Sequence, residues 1–281
     1  MRPRIPRQVH NLARAALDCA VEAEILFHAV TATLGSRASI PVIASLTSFP
    51  ARIHKVSWVI QSLLQQTIQP ARIILTLSLE EFPDRRIPSS LRRLGSRGLE
   101  ILWVESNGRS YDKLLPAARN HPDDLIMTFD DDKIYPPSLL EEIWRAHLSH
   151  PLSIIGSRGW EISLDEGTVE YGKGWIRASE LSLPTRTFLI GGGGILYPPS
   201  ARSPDMLNNS LATRLAPTAD DIWFWGCSLA NDIDIRCLGL PAFRPVRGLE
   251  ETPALKTINV HTNNDQFHSV INHFGLREKL T

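Results

Sequence analysis

The sequence has no net charge, because 30 lysine and arginine residues balance 30 aspartate and glutamate residues. A dedicated nucleic-acid-binding domain carries a basic excess, so this balance argues against that class of protein. The chain also lacks any apolar run long enough to cross a membrane. Its 281 residues, 43% of them hydrophobic, are typical of an ordinary globular protein with a sizeable core. The composition is therefore that of a folded protein with no nucleic-acid partner.

Cysteine is also scarce, with three residues at positions 19, 227 and 237. An odd number without metal-ligand spacing excludes a disulfide framework and a cysteine-based zinc site. Free thiols are typical of a reducing compartment, so the sequence predicts a cytoplasmic protein.

The first 38 residues differ from the rest of the chain. Four arginines precede the first acidic residue, Asp18, and apolar residues recur at helical spacing from Leu12 to Phe27. The segment lacks the compact apolar core and the cleavage site of a signal peptide. We therefore predict an N-terminal amphipathic leader helix over residues 1–38 and a catalytic domain over residues 39–281. The leader either packs on that domain or contacts a membrane surface or a partner.

Strands and helices alternate after residue 40. Four apolar runs predict strands, namely 42–46, 72–77, 99–104 and 125–130. A helical pattern follows the first, third and fourth runs, and a polar, proline-containing stretch follows the second. Such alternation produces right-handed βαβ units. The sequence thus predicts an α/β fold, with a Rossmann-like, mostly parallel sheet flanked by helices.

Three consecutive aspartates end the fourth of these runs. Open α/β sheets bind ligands at the carboxyl ends of their strands, where Asp130, Asp131 and Asp132 are expected to lie. Three adjacent carboxylates repel one another, and their hard oxygen atoms suit Mg2+ or Mn2+. Along an extended segment Asp130 and Asp132 share one side. A solvated turn that caps a helix is the alternative, whereas an EF-hand is excluded because Tyr135 occupies the position of its required glycine.

Several segments, in this order, resemble the glycosyltransferases of the A-type fold, in particular a family-two-like bacterial branch that makes polysaccharides and surface glycans. The resemblance covers residues 40–240 and is carried by Ser45 to Ile53, Ser110 to Leu114, the Asp-x-Asp at Asp130, Gly191 to Pro199, and Ala216 to Trp223.

The resemblance implies roles for individual residues. It places the nucleotide donor and its sugar against Ser45, Leu46, Thr47, Tyr111, Lys113, Asp130, Asp131, Gly192 and Gly193. It implies a metal site, for Mn2+ or Mg2+, at Asp130 and Asp132, with His261 as a further ligand. It places the catalytic base at Asp220 or Asp221. From the residues alone, the acidic pair is equally a helix cap, and Gly191 to Gly194 equally a bulge.

The resemblance implies a metal-dependent glycosyltransferase. Such an enzyme moves a sugar from a nucleoside-diphosphate sugar, here a UDP-sugar, to a hydroxyl group of a glycan or a small molecule. A carboxylate base implies inversion at the anomeric carbon, and a retaining mechanism stays open. One alternative is a sugar nucleotidyltransferase, although Ser45 to Ile53 lacks the glycine-rich loop that such enzymes need. The other is a binding module without catalysis.

Overall fold

The computed structural model describes residues 38–165, 168–241, 243–249 and 255–280, with the backbone only at 255–258 and 260. The predicted leader helix lies outside the described residues. The strands are β1 (Ser39–Thr47), β2 (Gln69–Ser78), β3 (Leu99–Val104), β4 (Leu125–Phe129), β5 (Lys133–Ile134), β6 (Ile154–Gly156), β7 (Gly159–Glu161), β8 (Ile176–Arg177), β9 (Thr187–Leu189), β10 (Ile195–Tyr197), β11 (Ile235–Cys237) and β12 (Arg244–Pro245). The α-helices are α1 (Val56–Leu64), α2 (Ser89–Leu94), α3 (Leu115–Asn120), α4 (Leu139–Ser149), α5 (Asn209–Leu215), α6 (Asp220–Ala230), α7 (Leu255–Phe274) and α8 (Arg277–Leu280).

A seven-stranded mixed sheet has the order β11-β6-β10-β4-β1-β2-β3. Strands β4, β1, β2 and β3 are mutually parallel, as the alternating pattern predicts. These strands are apolar because helices cover both faces of a parallel sheet. The Rossmann-like α/β fold predicted from the sequence is therefore confirmed.

The register of the sheet brings the polar segments together. Leu46 of β1 lies opposite Phe129 of β4, so both strands end at the same edge. Strand β10 runs antiparallel to β4, with Ile195 opposite Thr128. The glycine segment before β10 therefore reaches the edge at which the three aspartates leave β4.

The core lies on both faces of this sheet. Alternate residues of β1 point to opposite faces, so Ile43 belongs to one hydrophobic cluster while Val42 and Leu46 belong to the other. Trp223 and Trp225 of α6 are also core residues. They are not sugar platforms, and their burial fixes the position of the acidic pair at the start of the helix.

Two boundaries differ from those that the sequence pattern suggests. Ser48 and Pro50 are residue types typical of a helix start, but hydrogen-bonded turns occupy residues 50–55 and α1 begins at Val56. The Ser48 hydroxyl donates to Asp131 instead of capping a helix. Asn264 and Asp265 are likewise typical of an N-cap, but they lie inside α7.

Within the part of the chain that the structure describes, no helix has the length and apolar character needed to cross a bilayer. Cys227 and Cys237 are both buried free thiols.

Candidate active site

The middle residue of the aspartate triplet is bound by groups from the turn after β1. Asp131 is 6% exposed and accepts hydrogen bonds from the Ser48 hydroxyl at 2.6 Å and from Arg52 Nη1 at 2.7 Å. Burial raises the pKa of Asp131, and the Arg52 guanidinium opposes that shift. Both of its oxygen atoms have protein partners, so Asp131 ties the turn after β1 to the end of β4. Its predicted contact with the donor stays a prediction.

Asp132 lies on the more open side of the triplet. Its side chain is 24% exposed, with Lys133 Nζ 2.7 Å from Oδ1 and Arg52 Nη1 3.2 Å from Oδ2. Of these two cations, Lys133 is partly exposed, at 26%, whereas Arg52 is 11% exposed. A carboxylate has about four lone-pair sites, so each oxygen of Asp132 retains capacity for a further partner.

Lys113 connects the end of β4 with the start of α6. Its ammonium group is buried, 3.2 Å from Asp130 Oδ1 and 2.9 Å from Asp220 Oδ2. Burial lowers the pKa of Lys113, but the nearby carboxylates of Asp130, Asp220 and Asp221 outweigh that effect and raise it well above the ordinary value. Lys113 is therefore a permanent cation that holds two distant carboxylates together.

Asp221 faces the glycine segment. Both of its carboxylate oxygens accept from the Gly191 N–H, at 3.1 and 3.0 Å. Behind the carboxylate is a small cavity whose lining is mostly apolar and aromatic, including Leu189, Phe224 and Trp225. Burial against this lining, followed by the charge of Asp220, raises the pKa of Asp221 to about 7. A carboxylate with a pKa near neutrality has the property that a general base requires.

The glycines allow this close approach. A Cβ atom at Gly191 would lie 2.3 Å from Lys113 Nζ and 2.9 Å from Asp221 Oδ1, and one at Gly192 would lie 3.0 Å from Asp130 Oδ2. Gly194 has a φ of +82°, a backbone angle that residues with a side chain rarely adopt. The segment is a 3-10 turn, Gly191–Gly193, packed against the carboxylates. The predicted contacts of Gly192 and Gly193 with the donor stay predictions.

The remaining predicted donor contacts are less accessible. Ser45 and Leu46 are both 0% exposed, and Leu46 belongs to the hydrophobic core. The Thr47 hydroxyl donates to the Thr76 carbonyl at 3.0 Å. Tyr111 is buried and donates to the Ala216 carbonyl, which fixes the loop before α6. These residues shape the edge of the site, and their predicted contacts with the nucleotide stay predictions.

His261 lies exposed on α7, and within the described ranges no hydrogen bond or ion pair joins it to the aspartates. Over the same residues, no three or more His, Cys, Asp or Glu side chains are arranged to hold a metal on their own. The structure brings Lys113, Asp130, Gly191 to Gly193, Asp220 and Asp221 together. The role of His261 as a metal ligand stays a prediction.

Sequence reasoning missed Arg52 and Lys133. Arg52 contacts two carboxylates of the triplet, and Lys133 contacts one. The available signal was the register: because β1 and β4 end together, cations just after either strand lie beside the triplet. Together, five carboxylates meet three cations here, Arg52, Lys113 and Lys133. The carboxylates of this cluster outnumber its cations, so the cluster favours binding of a further positive charge.

No family model matches the sequence, and no curated protein does. Solved structures similar to this chain include S. aureus TarS 1-349, a GT-A-type glycosyltransferase. Its complex with UDP is 12% identical, with a TM-score of 0.47, covering 73% of this chain and 59% of TarS. Its complex with UDP-GlcNAc is 11% identical, with a TM-score of 0.49 and coverages of 85% and 72%. A 4-diphosphocytidyl-2C-methyl-D-erythritol synthase is 10% identical, with a TM-score of 0.42 and coverages of 88% and 100%. At these scores the function must be argued from the side chains of this chain.

Proposed function

We propose that this chain is a glycosyltransferase, which moves a sugar from a nucleoside-diphosphate sugar, a UDP-sugar in our proposal, to an acceptor hydroxyl of a glycan or a small molecule. The observation that carries this proposal is the Lys113 bridge. Lys113 joins Asp130, at the edge of the sheet where β1 and β4 end, to Asp220, which is next to the candidate base Asp221. A carboxylate suited to a metal-diphosphate and a carboxylate suited to proton transfer thus lie on two sides of one buried cation.

The donor set fits a hard divalent cation. Mg2+ is usually held by one or two carboxylates together with substrate phosphates, and Mn2+ takes similar oxygen ligands. Asp132 and Asp130 are the more exposed members of the triplet, at 24% and 34%. We propose that they hold Mn2+ or Mg2+ jointly with the donor diphosphate. When bound, the ion supplies charge that stabilises the departing nucleoside diphosphate.

We assign the base to Asp221 and a positioning role to Asp220. Asp220 is buried and paired with Lys113 at 2.9 Å, so its charge is already compensated. Among the described residues, Asp221 accepts a hydrogen bond from the Gly191 N–H alone, and its raised pKa favours acceptance of a proton from an acceptor hydroxyl. Attack by that hydroxyl on the face opposite the leaving diphosphate would invert the anomeric centre.

The test is calorimetric titration with UDP and UDP-sugars, in Mn2+ and in excess chelator, followed by product analysis with a panel of acceptors. We expect UDP binding to require the metal and Asp132→Asn to weaken it at least ten-fold. The exposed Asp84→Asn is the matched control, because Asp84 has only a surface contact with Arg86 at 3.8 Å. Equally tight UDP binding in chelator would defeat the metal assignment.

Product analysis decides the reaction class. A glycosyltransferase releases the nucleoside diphosphate, and that release should depend on the acceptor. Release of pyrophosphate from a nucleoside triphosphate and a sugar phosphate would replace the proposal with a nucleotidyltransferase. Binding of the nucleotide sugar without release of either product would show that the chain is a binding module without catalysis.

A further inference from the structure

A second cleft lies beside the glycine segment. It is a shallow cleft open to solvent, and it is lined by Arg158, Gly159, Trp160, Arg177, Ala178, Ile190, Gly239 and Leu240. None of these residues belongs to the site described above. Two guanidinium groups and an indole ring are the only large polar or aromatic groups of this lining.

The small sheet explains why these side chains meet. Trp160 of β7 is paired with Arg177 of β8, so their side chains share one face. Arg158 is two residues before Trp160 and faces the same way in an extended segment. Gly159 intervenes without a side chain, and a Cβ there would collide with the Phe188 carbonyl at 2.5 Å. The two arginines and the tryptophan therefore converge on one wall.

Over the residues that the structure describes, no carboxylate lies within ion-pair distance of the Arg158 or the Arg177 guanidinium. Burial and the charge of Arg177 both lower the pKa of Arg158. Cys237 lies nearby, but burial raises the pKa of its thiol, so the thiol is neutral at pH 7. Two like charges in a cleft are costly unless an anion joins them.

The cleft adjoins the candidate active site through the backbone. The Ile190 N–H donates to the Arg158 carbonyl at 3.2 Å, and the next residue, Gly191, donates to Asp221. A Cβ at Gly193 would lie 3.1 Å from the Arg158 Cβ. The segment 190–193 therefore separates the cleft on one side from the carboxylate that we assign as the base on the other.

We propose that the Arg158–Arg177 cleft binds a phosphate group carried by the acceptor. Paired guanidinium groups bind phosphate oxygens through charge-assisted, bidentate hydrogen bonds. Trp160, at 38% exposed, offers a face against which a sugar ring next to that phosphate packs. That the ligand is an acceptor rests on the proposed function; that the cleft binds phosphate does not.

The first experiment titrates the full chain, in chelator, with a hexose 6-phosphate and with the parent hexose. We expect the phosphorylated sugar to bind more tightly, and Arg158→Gln or Arg177→Gln to weaken it on the order of ten-fold, the loss typical of one charge-assisted hydrogen bond. Higher ionic strength should weaken it further. Arg92→Gln, which removes an exposed arginine of α2, is the matched control and should bind like the wild type.

A second arm distinguishes a soluble phosphate from a lipid headgroup. Sedimentation with phosphatidylglycerol vesicles is compared with sedimentation with phosphatidylcholine vesicles, for wild type, both variants and the control. Arginine-dependent binding to the sugar phosphate supports a soluble acceptor, and arginine-dependent binding to anionic vesicles alone supports a membrane-borne phosphate. If neither the binding of the sugar phosphate nor the binding of the anionic vesicles depends on Arg158 or Arg177, the proposal is wrong.

UDP binding in Mn2+ separates this result from the proposed function. Both variants should bind UDP within two-fold of wild type, because neither arginine contacts the aspartates in the part of the chain that the structure describes. If wild type fails to bind UDP, the proposed function fails while the phosphate titration still decides the cleft.

Discussion

Asp221→Asn should abolish transfer and stabilise the protein at the same time. The carboxylate borders a mostly apolar cavity, lies near Asp220, and receives one backbone N–H. An amide keeps its shape and still accepts from Gly191, but it has no charge to desolvate. It also cannot take a proton from an acceptor hydroxyl, and loss of a general base costs on the order of 10²–10⁴ in rate.

The magnitude follows from the pKa. Folding raises the pKa of Asp221 from 3.8 to about 7, because burial and Asp220 disfavour the ionised form. Below pH 4 the group is protonated in both states and contributes nothing. Between pH 4 and pH 7 the unfolded chain is ionised while the folded chain remains protonated, so the destabilisation grows with pH and is constant above pH 7. At about 1.4 kcal/mol per pKa unit, three units amount to roughly 4 kcal/mol.

The assay is chemical and thermal unfolding of wild type and Asp221→Asn from pH 4 to pH 8. The variant should match the wild type near pH 4 and gain stability toward pH 7, reaching a rise in Tm of about 8 °C at roughly 2 °C per kcal/mol. Asp220→Asn is the matched control and should destabilise, because Lys113 loses its 2.9 Å partner. A difference between wild type and Asp221→Asn that does not change with pH would refute the electrostatic reasoning, and full turnover of the variant would move the base elsewhere.

Two further substitutions test the architecture of the site. Gly191→Ala should lower turnover at least ten-fold and the free energy of unfolding by about 1–3 kcal/mol, because its Cβ would lie 2.3 Å from Lys113 Nζ. Gly95→Ala is the control, because a Cβ there meets nothing within 4 Å. Measured in parallel, it should leave turnover and stability unchanged. Arg52→Gln should cost roughly 2–4 kcal/mol in denaturant unfolding, because it leaves the buried Asp131 carboxylate with Ser48 alone. Arg72→Gln, whose pair with Glu100 is half exposed at 3.7 Å, should cost less than about 1 kcal/mol. Equal losses for Arg52→Gln and Arg72→Gln would show that Asp131 does not depend on Arg52.

Much of the fold could be predicted from the sequence, because the four parallel strands are continuous apolar runs and three of them are followed by a helical pattern. The edge at which the site lies follows from the same rule, since polar residues come directly after β1 and β4. The acidic pair at Asp220 could be placed at a helix start, because two carboxylates precede the apolar run of α6. These are local signals that tertiary packing reinforces.

What the sequence could not show is which charges meet. Arg52 looked like one of many surface arginines, and only the register of β1 against β4 brings it to Asp131 and Asp132. The short strands β6 to β10 carry too few residues for any periodicity, so the cleft at Arg158 and Arg177 had no sequence signal. Nor could the pattern separate Asp220 from Asp221, because their difference comes from Lys113 on one side and an apolar cavity on the other.

The three aspartates after β4 differ in how closely the protein encloses them. Asp131 is 6% exposed, and Ser48 and Arg52 bind its two oxygens, so its charge holds the turn after β1 against the end of β4. Asp131 and Asp132 lie in a turn, so the alternation of an extended segment does not apply to them, and Arg52 Nη1 contacts both. The side chains of Asp130 and Asp132 remain partly exposed, at 34% and 24%. A partly exposed carboxylate rearranges around a ligand at less cost than one held in a buried ion pair. The middle aspartate therefore anchors the strand end, and its two neighbours are the residues that we propose as metal ligands.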